Sequence, residues 1–265
     1  MDRTLQLRIL TGLALVALAV AALWFGGPAF QVLVAAAVLL MWAEWAAMLR
    51  LGLVVRRIGL VFLAFCLALT VVVPMGEVLV ALAGGAGLIG LFARSQSRAA
   101  FAWTAAGLLY CGLPALALLW LRARPEGLAA TLFVLVVVWA ADIGAFFTGR
   151  ALGGAKLAPR ISPGKTWSGA IGGLVIAMLC AMLMAASYLP SGLGPWALNL
   201  ASVAGALAAL SILGDLFESW LKRRAGVKDS GRILPGHGGV MDRLDGVVPV
   251  SVAGAALFWV TGWAG

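Results

Sequence analysis

The sequence predicts an all-α, polytopic integral membrane protein. Only 11% of the 265 residues are charged and the mean hydropathy is +1.07, whereas soluble proteins are about 25% charged. Apolar runs of roughly 17–25 residues recur along the whole chain, and each can cross a hydrocarbon core about 30 Å thick. These runs are apolar on every face, which excludes the alternating strands of an outer-membrane barrel.

The apolar runs predict about nine transmembrane helices. They cover roughly residues 9–25, 28–49, 58–73, 78–92, 103–121, 128–147, 168–189, 196–214 and 247–263. We expect a single membrane domain over 1–265, with N-terminal helices at roughly 9–121 and a catalytic part at roughly 128–263. The first run exceeds the apolar region of about 7–15 residues in a cleaved signal peptide, so we expect a retained helix.

The positive charges predict the topology. Seventeen of the 19 Lys and Arg residues fall at the N-terminus and in the loops 50–57, 93–100, 148–167 and 215–246, which leaves Arg122 and Arg124 on the other side. The positive-inside rule then places the N-terminus and both long charged loops in the cytoplasm. The net charge of +9 therefore follows from topology, and we expect no nucleic-acid partner.

Several side chains of the helical spans carry more specific expectations. Asp142 lies near the cytoplasmic end of the sixth span, where an ionisable group usually faces a cavity or a partner; the alternative is that it neutralises Arg150 or caps a broken helix. We interpret Glu44, near the end of the second span, as an interfacial acid close to Arg50. Small residues at Gly169, Gly172 and Gly173 indicate close helix packing. Tryptophans near span ends are typical of interfacial anchors; they are Trp24, Trp42, Trp45, Trp103, Trp120, Trp196, Trp259 and Trp263.

The segment 215–246 contains a large share of the chain's few charged residues. It contains five of the 10 carboxylates, six of the 19 Lys and Arg residues and the only histidine, His237. Asp215 and Glu218 are spaced i, i+3 on a predicted helix, and Asp242 and Asp245 repeat that spacing. Carboxylates without a His/Cys cluster favour a hard cation such as Mg²⁺, and the neighbouring Lys and Arg residues suit phosphate. The alternative is a solvated loop with internal salt bridges.

The loop 148–167 predicts an anion site. Gly164-Lys165-Thr166 is like the end of a P-loop, but Pro159 stands where that motif needs glycine, and no strand is expected before it. A turn followed by a helix N-terminus still offers cations and backbone N–H groups to phosphate. The side chains expected there are Arg160, Ser162, Lys165, Thr166 and Ser168.

These residues together resemble the signature of phosphatidate cytidylyltransferases, the CDP-diacylglycerol synthases. The resemblance is carried by Ser219-x-Leu221-Lys222-Arg223, by Lys228-Asp229-x-Gly231 and by Leu234-Pro235-x-His237-Gly238-Gly239-Val240-x-Asp242-Arg243-Leu244-Asp245. It extends to Ser162-Pro-Gly-Lys165-Thr166-Trp167 and to Asp142 with Gly149-Arg150. Two positions depart from it, since Ser168 stands where relatives often have Glu and Ile143 where they often have Thr.

The resemblance implies Mg²⁺-dependent transfer of a cytidylyl group from CTP to phosphatidate, with release of pyrophosphate. We expect Asp215, Asp242 and Asp245 to bind one or two cations, with Asp142 completing the set. Phosphate contacts are expected from Ser162, Lys165, Thr166, Lys222, Arg223 and Arg243. Lys228 is expected to hold phosphate as well, with Asp229 and His237 as orienting catalytic groups.

Two other functions stay open on the sequence alone. Asp242-x-x-Asp245-Gly246 begins like the motif of CDP-alcohol phosphotransferases, but no Ala-Arg and no later paired Asp follow. A non-enzymatic transporter would scatter its acids at mid-span, whereas these gather at span ends. The expected partners are CTP, phosphatidate and the bilayer, with a homodimer as an option, and the expected location is a bacterial inner membrane with the active site facing the cytoplasm.

Overall fold

The computed structural model describes residues 3–188, 195–234 and 238–261. Over these ranges the chain is predominantly helical, with one two-stranded sheet. In chain order the elements are α1 (Arg3–Phe25), α2 (Gly27–Met48), α3 (Leu53–Leu69), α4 (Met75–Ala93), α5 (Arg98–Arg122), α6 (Gly127–Leu152), β1 (Lys156–Ala158), β2 (Ser162–Thr166), α7 (Trp167–Tyr188), α8 (Pro195–Ala225), α9 (Met241–Leu244) and α10 (Val247–Thr261).

The helices confirm the membrane class. A chain in lipid must satisfy its backbone hydrogen bonds internally, and helices do so. Within the described ranges, six helices are long and apolar enough to cross a membrane: Gly27–Met48, Met75–Ala93, Arg98–Arg122, Gly127–Leu152, Trp167–Ser187 and Ala197–Ala225. Large apolar side chains such as Val80 and Leu183 stay exposed along them, as lipid-facing residues do. The protein is therefore an all-α polytopic integral membrane protein.

Two helices continue beyond the apolar runs that predicted them. α6 extends from the predicted end at 147 to Leu152, and α8 extends from 214 to Ala225, so the charged loops are shorter than expected. Hydropathy locates the part of a helix that suits lipid, whereas the helix itself continues until a residue ends it. Here the left-handed glycines Gly153 (φ 60°) and Gly226 (φ 75°) follow the two ends, as is common at helix C-termini.

The loop after α6 contains a β-hairpin that was not predicted. β1 pairs antiparallel with β2, with Lys156 opposite Thr166 and Ala158 opposite Ser162. The expectation that no strand precedes Gly164-Lys165-Thr166 is therefore wrong, because strands this short and rich in Gly and Pro carry little alternating pattern. Pro159 still excludes a P-loop.

The chain divides into two compact units. The first comprises Met1–Leu128 and Ala225–Leu244, and the second comprises Ala129–Arg224 and Asp245–Gly265. The segment 215–246 is thus shared, since Asp215 and Asp245 belong to the second unit and Asp242 belongs to the first.

Two tryptophans belong to the buried core of the first unit. Trp42 and Trp45 are 0% exposed, so the prediction that they are interfacial anchors is wrong. The indole nitrogen of Trp45 donates to the carbonyl of Trp103 at 2.9 Å, and a side chain at Gly107 would overlap the Trp45 ring. The buried indole of Trp45, with its N–H group satisfied, packs α2 against α5, whereas the indole nitrogen of Trp42 donates to the carbonyl of Arg56 on α3 at 2.9 Å. In contrast, Trp24 is 68% exposed, as expected of an anchor.

Glycines bring the helices of the second unit together. A Cβ atom at Gly173 of α7 would lie 2.6 Å from the carbonyl oxygen of Ala141 on α6, which confirms the packing role predicted for that glycine-rich stretch. A Cβ atom at Gly214 of α8 would lie 2.7 Å from Cγ of Pro249 on α10 and would overlap the carbonyl oxygen of Asp245. These contacts position Asp142, Asp215 and Asp245, each adjacent to one of the contact residues.

Candidate functional site

Lys165 and Asp215 form an ion pair within the second unit. Lys165 lies in β2 and Asp215 in α8, and the ammonium contacts Oδ2 of the carboxylate directly. The two side chains keep 23% and 33% of their surface exposed. The hydroxyl of Ser219, one turn further along α8, donates to Oδ1 of Asp215 at 3.3 Å. The sequence-predicted phosphate-binding lysine and metal-binding aspartate are thus direct neighbours.

Asp245 lies next to this pair, in the turn before α10. The amide of Gly246 donates to Oδ1 of Asp245 at 2.7 Å. Burial, followed by the charges of Asp215 and Asp142, raises the pKa of Asp245 to about 7, against the opposing effects of the Gly246 amide and Lys165. Carboxylates held close together repel each other when both are ionised, and this repulsion raises the pKa of at least one of them.

We call Asp142, Asp215 and Asp245 the acidic cluster. Its carboxylates are near enough to affect one another's protonation, yet among the described residues no three His, Cys, Asp or Glu side chains converge closely enough to hold a metal ion. Lys165 places a positive charge beside the cluster through its contact with Asp215. Carboxylate oxygens are the ligands that hard cations prefer. The donor set therefore fits a divalent cation chemically.

Thr166 has a structural contact that the sequence analysis missed. It directly precedes α7, it is 7% exposed, and its hydroxyl accepts a hydrogen bond from the amide of Gly169 at 3.1 Å. This is the geometry of an N-cap. The Thr166 hydroxyl also lies 3.0 Å from the Ser168 hydroxyl, which donates to the carbonyl of Gly153. Together these contacts fasten the hairpin to the start of α7.

Lys222 is engaged within its own helix. Its ammonium donates to Oε2 of Glu218 at 2.8 Å, one helical turn away. Glu218 is 1% exposed and the Lys222 side chain only 12%, so this is a largely buried ion pair. Because both charges are buried, removal of either partner would leave an uncompensated charge in the interior and destabilise the protein. Arg223, the next residue, is exposed.

Asp242 organises the loop that precedes it, within the first unit. Its Oδ2 accepts hydrogen bonds from the amide of Ser230 at 3.0 Å, from the Ser230 hydroxyl at 2.9 Å and from the amide of Gly239 at 2.8 Å. Helix α9 ends at Leu244, so Asp242 and Asp245 do not share a helix as their spacing predicted. The helix ends at a turn formed by Asp245 and Gly246, where the amide of Gly246 donates to the Asp245 side chain.

Glu44 is the second residue that the sequence analysis missed. It is 3% exposed, so the interpretation as an interfacial acid near Arg50 is wrong. Its Oε1 accepts from the amide of Val240, and its Oε2 accepts from the amide of Met241, both at 2.9 Å. The Ser230 hydroxyl lies 3.1 Å from Oε2 as well. An acid in an apolar helix without a cation one turn away was the available signal.

The glycines of the signature surround this carboxylate. A Cβ atom at Gly231 would overlap Oε1 of Glu44, and one at Gly239 would lie 2.6 Å from its Oε2. Gly238 has a φ of 81°, which favours glycine. The glycines were predicted to let the backbone approach a ligand here, but the group that they accommodate is the Glu44 carboxylate of the chain itself.

The remaining predicted residues divide by exposure. Lys228, Asp229 and Arg243 are exposed, and Ser162 is half-buried in β2 opposite Ala158. His237 lies outside the described residues. The structure thus brings Lys165, Asp142, Asp215 and Asp245 together in the second unit, and it joins Asp242 to Glu44 through Ser230 in the first.

Comparison with known proteins gives the family. Residues 6–261 match the profile described as the cytidylyltransferase family. A protein of Brucella suis biovar 1 (strain 1330) named phosphatidate cytidylyltransferase is 41% identical over 263 residues, which cover 97% of this chain and 93% of the relative. Proteins with the same name from Pseudomonas aeruginosa and Haemophilus influenzae are 47% identical over 131 residues and 49% identical over 123 residues. Those matches cover 49% and 45% of this chain, and 47% and 42% of the relatives. With a profile that spans nearly its whole length, the chain belongs to the cytidylyltransferase family.

Proposed function

We propose that the protein is a phosphatidate cytidylyltransferase, which makes CDP-diacylglycerol and pyrophosphate from CTP and phosphatidate. The observation that carries this proposal is the family match over residues 6–261, together with relatives of that name aligned over 97% of the chain. The acidic cluster and its adjacent lysine supply the charges that a reaction between two phosphates needs.

The reaction requires positioning more than covalent chemistry. A phosphate oxygen of phosphatidate attacks the α-phosphorus of CTP, and the bond from that phosphorus to the bridging oxygen of the β-phosphate breaks. Pyrophosphate leaves with the bond electrons, and the attacking phosphate is already ionised, so no side chain must remove a proton. Holding two anions in line and neutralising their charge then accounts for most of the rate.

The acidic cluster is the proposed magnesium site. Asp142, Asp215 and Asp245 would hold the ion, and the electrostatic influence of Asp142 and Asp215 on Asp245 supports this assignment. Bound there, Mg²⁺ would neutralise charge on the phosphates. Asp242 stays a predicted ligand, although its Oδ2 already accepts three hydrogen bonds.

The cationic side chains are proposed to hold the substrates' phosphates. Lys165 is adjacent to the acidic cluster and partly exposed, so it can exchange Asp215 for a phosphate oxygen at little desolvation cost. Arg223, Lys228 and Arg243 are exposed and able to reach ligands. Lys222 would act while paired with Glu218, and Ser162, Thr166, Asp229 and His237 keep their proposed roles in binding and orientation.

The proposed topology puts nine spans in a bacterial inner membrane with the N-terminus in the cytoplasm. The distribution of Lys and Arg supports this orientation. It places the charged segments where CTP is found, and phosphatidate would enter from the bilayer between spans.

The test is product formation by the purified protein in detergent–lipid micelles. With CTP, phosphatidate and Mg²⁺, we expect CDP-diacylglycerol by mass spectrometry and an equal amount of pyrophosphate. Neither product should form when CTP or phosphatidate is omitted. A CDP-alcohol phosphotransferase would instead consume added CDP-diacylglycerol, and a transporter would form neither product, so either outcome would overturn the proposal.

A further inference from the structure

We propose that Glu44 is a positioning residue for cytidylyl transfer, because its buried carboxylate fixes the conformation of the segment formed by residues 228–234 and 238–242. This inference rests on the proposed function, since it assumes that this segment belongs to the active site. Glu44 lies on α2, 186 residues before Ser230 in the sequence, and outside the signature that carries the resemblance.

Glu44 holds both ends of the segment. At the later end, the amides of Val240 and Met241 donate to its two oxygens, each at 2.9 Å. At the earlier end, the hydroxyl of Ser230 lies 3.1 Å from Oε2. Between these points, the described backbone pairs with itself at Leu234 and Gly238. A carboxylate that accepts several donors rigidifies such a loop.

Ser230 joins Glu44 to Asp242. Its hydroxyl lies 3.1 Å from Oε2 of Glu44 and 2.9 Å from Oδ2 of Asp242. The two carboxylates therefore share one hydroxyl group, and movement of Glu44 shifts the group that Asp242 binds. Lys228 and Asp229, immediately before Ser230, are exposed, so the contact sets the position from which these catalytic candidates project.

Because Glu44 is buried, loss of its hydrogen bonds would be costly. Glu44 is 3% exposed, and a buried carboxylate that loses its donors costs several times a normal hydrogen bond. The glycines at 231 and 239 leave room for this side chain, since a Cβ atom at either would lie within van der Waals distance of it. The segment is thus shaped around Glu44.

The substitution Glu44→Gln tests the contact. Gln keeps the size of the side chain but offers one oxygen, so its NH₂ group must face the N–H of Val240 or of Met241. We expect kcat per folded enzyme to fall by about tenfold or more, because displacement of catalytic groups by about an ångström is that costly. Glu77→Gln, which neutralises an exposed acid on α4 in the same unit, should keep kcat within about twofold.

Hydrogen exchange separates positioning from general instability. In Glu44→Gln the amides of Ser230, Gly239, Val240 and Met241 should exchange about tenfold faster or more, while those of α4 and α5 keep their protection. A folded variant with kcat within about twofold of the wild type overturns the proposal. A loss of kcat without faster exchange at these four amides overturns it too.

A milder variant decides the matter if Glu44→Gln does not fold. Ser230→Ala removes the shared hydroxyl and leaves every backbone donor in place, so kcat should fall by about threefold or more in a protein that loses less stability than Glu44→Gln. Wild-type kcat in folded Ser230→Ala would overturn the proposal in that case. If the wild type itself makes no CDP-diacylglycerol, the proposed function fails. If the wild type is active and the folded variants keep its full activity, the positioning role alone fails.

Discussion

Replacement of Asp245 by Asn should stabilise the metal-free protein while it abolishes turnover. Burial and the charges of Asp215 and Asp142 raise the pKa of Asp245 from 3.8 to about 7, so the folded state resists ionisation of this group. Asn removes the charge and keeps an oxygen for the Gly246 amide. The proposed metal-binding role requires that same charge, so activity and stability should change in opposite directions.

The pKa shift sets the size of the effect. At about 1.4 kcal/mol per pKa unit, the full shift would correspond to about 4 kcal/mol at pH 8. Asp245 remains partly exposed and shares its charge interaction with Asp215, so we expect about 1–2 kcal/mol, or a Tm increase of about 2–8 °C.

The sign of the pH dependence follows from proton binding. Between pH 3.8 and about 7 the folded wild type binds more protons at Asp245 than the unfolded chain. Stability from this group is therefore lost as the pH rises through that window and stays low at pH 8. The Tm advantage of Asp245→Asn should be largest at pH 8 and should shrink towards pH 5.

A thermal unfolding assay with a thiol-reactive dye in EDTA measures this. Cys66 and Cys111 are 2% and 0% exposed, so their thiols react when the protein unfolds. Glu126→Gln, at an exposed position, is the matched control and should leave the Tm close to that of the wild type. A Tm for Asp245→Asn at or below that of the wild type at pH 8, or parallel pH dependences, would refute the reasoning.

Three further predictions concern the hairpin, the signature glycines and the lysine of the ion pair. Thr166→Ala should cost about 1 kcal/mol of stability through loss of the N-cap, Thr166→Ser should retain it, and equal Tm values for both would count against the cap. Gly239→Ala should displace Glu44, lower stability by about 1–3 kcal/mol and abolish turnover, whereas Gly87→Ala, with open space around it, should do neither. Lys165→Met should raise the KM for CTP by about tenfold or more, because a phosphate contact is lost; an unchanged KM in steady-state kinetics would contradict that role.

The apolar runs predicted the helices because lipid imposes a single requirement on every spanning residue. Each predicted span coincides with a helix of the described chain, from α1 to α8 and α10. The ends were less predictable, since α8 continues to Ala225 through residues that hydropathy assigns to a loop. The glycine that follows, Gly226, marks the end better than the loss of hydrophobicity does.

The candidate site was predictable where its members are charged side chains that stand in a recognisable motif. The pairing of Lys165 with Asp215 agrees with a shared site for metal and phosphate. Glu44 was misread because its partners, Val240 and Met241, lie almost 200 residues away and donate backbone amides, which every residue type except proline provides. Thr166 could have been identified as an N-cap from its place before an apolar helix, but the neighbouring lysine favoured a ligand interpretation.

Transfer of label from CTP tests the central claim most directly. The account predicts that purified wild-type protein, with phosphatidate and Mg²⁺, moves ³²P from α-labelled CTP into lipid and leaves ³²P from γ-labelled CTP in pyrophosphate. Asp215→Asn should put no α-label into lipid and should release no labelled pyrophosphate from γ-labelled CTP, while its Tm stays near that of the wild type. Label from the γ-position in lipid, or full transfer of α-label by Asp215→Asn, would contradict cytidylyl transfer at the acidic cluster.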